Sequence, residues 1–105
     1  MAENPSSSLE TVLVDESVCF TLVQLCQACR SDTVTLVELV REGVLEPAGS
    51  APDDWQFTGP ALRRARAALR LGKELELDIA GTALVLDLLD EIESLKSRLR
   101  RAGVR

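Results

Sequence analysis

Apolar positions along this chain change their spacing several times, and each change marks a segment. Val12, Val14, Val18 and Phe20 stand two apart in pairs, the period of a short strand or two. From Leu22 the spacing becomes helical, with Leu22, Leu25, Cys26 and Cys29 on one stripe. Thr21 before them and Gln24 three residues on form a capping box, which fixes where that helix starts. Ser31, Asp32 and Thr33 break it and offer caps for a second helix. That helix carries Leu36, Val37, Leu39 and Val40 and stops at Gly43, a natural left-handed residue. Two short helices joined by a few residues predict a helix-turn-helix.

Over 44–58 the pattern turns β-like. Val44-Leu45 and Trp55-Gln56-Phe57 flank a run of Pro, Gly, Ser and Asp, which predicts a two-stranded wing. Thr58 then caps a third helix, with Pro60 in its first turn, where a missing N–H costs little. Leu62, Ala65, Ala68 and Leu69 form its apolar side, and Arg63, Arg64, Arg66 and Arg70 its polar side, to about Glu74. The last helix is predicted over about 78–101. Its Val85, Leu88, Ile92, Leu95 and Leu99 are spaced three, four, three and four, the a/d pattern of a helix that pairs with another. The run ALVLDLL over 83–89 is apolar on nearly every face, so that turn is expected to touch more than one neighbour.

The chain of 105 residues is long enough for one core and too short for two. Residues 1–14 are expected to be a flexible leader and 15–105 a single domain. Leu, Val and Ala dominate, while the aromatics are only Trp55, Phe20 and Phe57, which places the chain in the mainly α class. No run of 18 apolar residues exists, so no transmembrane span is expected. The opening MAENPSSSLE has neither the basic nor the apolar part of a signal peptide, and three cysteines suit a reducing compartment. The cytoplasm is the expected location.

Charge changes the picture further. The formal net charge is −5, and it is distributed in blocks. Glu38, Glu42, Glu46, Asp53 and Asp54 face only Arg41 across 33–58, so the second helix and wing are acidic. Residues 63–73 hold Arg63, Arg64, Arg66, Arg70 and Lys73 and no acid. Residues 74–93 hold seven acids and no base, and 94–105 five bases and no acid. Histidine is absent, which removes the commonest general base and metal ligand. Asp53-Asp54 and Asp90-Glu91 are paired carboxylates at a turn tip and on a helix face, where solvation rather than catalysis is the expectation. Cys26 and Cys29 are separated by two residues with Cys19 before them, but structural zinc wants four ligands. They are expected to be small buried apolar groups. Neither an enzyme nor a cofactor or metal site is expected.

The order helix, turn, helix ending in REGVLEP, then a wing closing on WQF and a basic helix, resembles the DNA-binding head of MerR-type regulators. In such heads the second helix and wing are basic because they meet phosphates and base edges. Here those positions are acidic, so a MerR-like DNA-binding transcriptional regulator is the alternative reading, and nucleic acid is not the expected partner.

A closer resemblance runs from Phe20-Thr21 to Leu99. Leu25-Cys26, Glu42 to Pro47, Trp55 and Phe57, Ala67 to Leu71, and LELD, Gly81 and LDLLDEI followed by Leu95-Lys96 together resemble the CbpM family of chaperone modulators. The resemblance implies a homodimer that binds the J-domain of a CbpA or DnaJ-like co-chaperone and inhibits its action on DnaK. It also implies a basic J-domain surface as the target. Asp87, Asp90 and Glu91, beside the apolar stripe of the last helix, and Trp55 in the wing are the expected partner-binding residues. Val85, Leu88, Ile92, Leu95 and Leu99 are the expected dimerisation stripe.

Overall fold

The computed structural model describes residues 18–103, so the expected leader lies outside the described residues, as does the expected strand before Val18. Two short strands and four helices follow: β1 (Cys19–Phe20), α1 (Leu22–Cys29), α2 (Thr33–Arg41), β2 (Phe57–Thr58), α3 (Gly59–Leu75) and α4 (Ile79–Arg101). A single 3₁₀ turn, Pro52–Asp54, lies in the loop before β2.

Local chemistry sets the boundaries. The Gln24 N–H donates to Thr21 Oγ1 at 3.1 Å and the Thr21 N–H to Gln24 Oε1 at 2.9 Å, the reciprocal pair that starts α1. The Thr35 N–H donates to Asp32 Oδ1 at 2.8 Å at the start of α2, and the Gly81 N–H to Asp78 Oδ1 at 2.8 Å at the start of α4. Thr58 occupies the N-cap of α3 with extended backbone, but its hydroxyl makes no cap bond there. Gly43, with φ 81°, ends α2 as its position predicts.

One core joins all four helices. Leu25, Leu36, Leu39, Leu45, Phe57 and Leu62 are sealed from solvent, with Ala65 and Ala68 bringing α3 close against α1. At 25 cal/mol per Å², each of these large side chains contributes about 1.5–3 kcal/mol. α4 lies on α3 and α2 and buries only Thr82, Ala83 and Leu86. Its close approach to α3 depends on Gly72, whose missing Cβ would stand 3.1 Å from Thr82 Oγ1.

The wing differs from its prediction. Val44 and Leu45 are buried in the core and form no strand. Both their N–H groups go to the Leu39 carbonyl, at 2.9 and 3.4 Å, so they complete the end of α2 instead of pairing with residues 55–57. β2 pairs antiparallel with β1, with Phe57 opposite Phe20, and the loop closes through one bridge, Ala48 with Gln56. The loop tip is tight. A Cβ on Gly49 would lie 2.6 Å from the Asp54 carbonyl oxygen, while Asp54 Oδ1 accepts the Ala51 N–H at 2.9 Å.

Candidate partner-binding surface

α4 has two halves of different character. Its first two turns carry the residues buried against α3 and α2; from Asp87 to Gly103 none is buried. Asp87, Asp90, Glu91 and Glu93 are all exposed on this second part. Helical spacing puts Asp90 and Glu91 three and four residues from Asp87, so the three acids share one side.

Asp87 and Asp90 also line an open groove of about 460 Å³, together with Glu46 and Arg64. Arg64 organises its floor. Its Nε donates to the Val44 carbonyl at 2.8 Å, and its NH2 donates to Asp90 Oδ2 at 2.9 Å. Asp90 is therefore turned toward α3 and partly neutralised, while Asp87 and Glu91 keep their charge for solvent or a partner. Glu46 adds an acid from the loop after α2, so the groove carries three carboxylates and one guanidinium. A cationic side chain is what such a groove can hold.

Trp55 is not part of that lining. It is half-buried, packs on the core and meets Phe57 edge-to-face, with centroids 6.0 Å apart and planes at 87°. The structure thus brings Asp87, Asp90 and Glu91 together and leaves Trp55 apart, in the loop before β2.

The expected dimerisation stripe is open. Val85 is half-buried, whereas Leu88, Ile92, Leu95 and Leu99 are between 44 and 54% exposed. Leu84 and Leu89 are exposed as well, which widens the stripe beyond the residues that the heptad spacing singles out. So within 83–89 Ala83 and Leu86 are buried and Val85 half-buried, while Leu84, Leu88 and Leu89 are left uncovered. An apolar face of this size on a protruding helix is the signature of an interaction site.

The cysteines separate. Cys26 is buried in the core, Cys19 is exposed, and Cys29 is half-buried with its thiol pushed up to about 11, mainly by burial. Among the described residues, no three of His, Cys, Asp or Glu are grouped so as to hold a metal ion. No helix among them is long and apolar enough to cross a membrane.

Comparison with known proteins matches residues 20–102 to the family described as "MerR HTH family regulatory protein". The chaperone modulatory protein CbpM of Coxiella burnetii (strain Dugway 5J108-111) is 35% identical over 92 residues, 88% of this chain and 87% of that protein. Those of Pseudomonas putida strains GB-1 and W619 are 41 and 42% identical over 73 residues, 70% of this chain and 72% of each. The chain belongs to the CbpM family. The helix-turn-helix head and the long last helix, read from the spacing of apolar residues, are the architecture of this MerR-type group. Arg64 and Glu46 line the groove with Asp87 and Asp90, and sequence reasoning did not single them out. Glu46 is one acid among many, and nothing local links Arg64 to a residue twenty-six positions away. Leu84 and Leu89 could have been found, since both flank the a/d stripe inside an unbroken apolar run.

Proposed function

We propose that this chain is a chaperone modulator that binds the J-domain of a CbpA or DnaJ-type co-chaperone and inhibits its action on DnaK. Membership of the CbpM family carries the reading, and the acidic groove on α4 supplies its chemistry. A basic J-domain helix meets opposite charge at Asp87 and Glu91, which speeds encounter and sets register. Exposed ion pairs contribute only about 0–1 kcal/mol each, so the neighbouring apolar side chains must supply most of the affinity. The protein acts in the cytoplasm, where both co-chaperone and DnaK are found, and needs no cofactor.

The active form is a homodimer along α4. Acids occupy residues 87–93 of that helix and Lys96, Arg98, Arg100 and Arg101 follow. A parallel, in-register pair would set like charges side by side, whereas an antiparallel pair sets each acidic block against the other's basic block. About two heptads alone make a marginal seam, so contacts from the first turns of α4 help to close it.

Asp87→Lys with Glu91→Lys should abolish binding to the co-chaperone J-domain in calorimetry at low salt and leave the circular dichroism unchanged. Asp90 is left intact because it is paired with Arg64. Unchanged binding of the double variant at both low and high salt would reduce the acidic face to solvated surface.

DNA binding is the second reading, favoured by the helix-turn-helix itself. Glu38 and Glu42 are exposed at the end of α2 beside Arg41, where phosphate would have to approach. A sequence-selective complex with duplex DNA at physiological salt would restore that reading; the acidic balance of residues 33–58 predicts none.

A further inference from the structure

A second groove has the opposite charge. It is an open concavity of about 710 Å³ between the end of α1 and the second half of α3, and its lining includes Cys29, Arg30, Leu69, Arg70, Lys73 and Glu74. Three cations face one acid there, in a chain whose net charge is −5. Among the described residues the ion pairs are Arg64 with Asp90 and Arg100 with Glu93, so Arg30, Arg70 and Lys73 are engaged by neither.

Two further observations concern the walls. Arg30 ends α1 in the left-handed region, φ 56°, where glycine is the residue that fits without strain. Its N–H bonds back to the Gln27 carbonyl at 3.3 Å, and Ser31 follows with a 3.0 Å bond to Cys26, so the position is firmly held. A large cation stands where the backbone asks for glycine. Leu69 and Cys29 are half-buried and provide apolar surface beneath the cations. Burial pushes the Cys29 thiol up even with the Arg66 guanidinium pulling it down.

We propose that this groove binds a short acidic peptide segment of a partner protein, with carboxylates on Arg30, Arg70 and Lys73 and one apolar side chain on Leu69 and Cys29. The site is separate from the acids of α4 and does not depend on what they bind. Duplex nucleic acid suits it less, because phosphates continue past the groove while the chain as a whole repels a polyanion. The acidic α4 of a second copy suits it less too, since such a head-to-tail contact is not self-closing and would build open chains. A peptide of a few residues keeps its charge within the groove.

The test titrates ¹⁵N-labelled full-length protein with acetylated Glu-Asp-Leu-Asp-Glu and with the same peptide carrying Ser for Leu. The amides of Cys29, Arg30, Leu69, Arg70 and Lys73 should shift with the first peptide. The second should bind more weakly, and salt should weaken both. Arg70→Glu with Lys73→Glu should reduce affinity about tenfold or more, through loss of two attractions and gain of two repulsions. Arg30→Gly should also weaken binding while the Tm stays level or rises, which separates the cation's role in the groove from folding. The proposal is overturned if no amide in the groove shifts or if Arg30→Gly binds as well as wild type. It is equally overturned if a duplex oligonucleotide displaces the peptide, or if the same amides move with protein concentration alone.

Discussion

Arg64 and Asp90 are held together across the groove at 2.9 Å, and the same guanidinium holds the Val44 carbonyl at 2.8 Å. One side chain on α3 thus ties the loop after α2 to the first exposed part of α4. The ion pair is weak on its own, since the Arg64 side chain is 30% and the Asp90 side chain 60% exposed. The bond to the backbone carbonyl is the stronger half.

Arg64→Ala should therefore destabilise the fold by about 1–2 kcal/mol, and Asp90→Asn by about 0.5 kcal/mol or less. Urea midpoints of the two variants measure the difference. Arg64→Lys should recover little, because one ammonium cannot span both acceptors as the guanidinium fork does.

Core and stripe leucines should respond in opposite ways. Leu36 and Leu62 are fully buried, so either one changed to Ala should cost about 2–5 kcal/mol. Leu88→Ala, at an exposed position, should cost less than about 1 kcal/mol in dilute protein. Denaturant titration at low protein concentration makes the comparison.

Ile92→Asp with Leu95→Asp should leave the head folded and abolish self-association. Light scattering of wild type at tens of micromolar should give a dimer mass, and the double variant that of a monomer. A well-folded wild-type monomer under the same conditions would refute pairing along α4.

Acid should loosen α2 from its start. Hydrogen bonds from Thr35, its hydroxyl first and its backbone N–H second, hold the Asp32 carboxyl below the usual carboxylate range. A carboxyl lowered in the folded state stabilises fully above its unfolded pKa of about 3.9 and ceases to do so as pH falls through the folded value. Asp32→Asn keeps a capping oxygen without a charge to titrate. Its stability should fall less steeply than wild type's below about pH 4.

Alkylation should rank the thiols. Cys19 is exposed and should react first with iodoacetamide at mildly alkaline pH, while Cys29, with its thiol pushed up to about 11, should react slowly. Mass spectrometry of peptides gives both rates. Equal rates would show that the wall around Cys29 opens readily.

The helices were legible because each has its own punctuation. Thr21 with Gln24, Asp32, Gly43 and Asp78 lie at or beside helix ends, and Leu22, Leu25, Leu36, Leu39, Leu62 and Ala65 of the stripes between them are buried. The wing was misread because Val44-Leu45 has the composition of a strand but follows directly on a helix terminus. Whether such a pair extends or folds into the core depends on Leu39 and on α3, which local pattern does not contain. Asp87, Asp90 and Glu91 share one side of α4, which helical spacing alone determines. Arg64's hold on Asp90 was invisible, because it depends on how α3 crosses α4.

Beyond Leu86, α4 continues for fifteen residues with none of them buried. A helix of that length is marginal in water when nothing covers it. Amides of residues 82–86 should then exchange with deuterium only when the whole head opens, and those of 90–101 far faster. Any partner or second copy that settles on the second half should slow those amides selectively. That half would act as a built-in occupancy gauge: its protection, followed residue by residue, would report which stretch of the helix is covered and by how much.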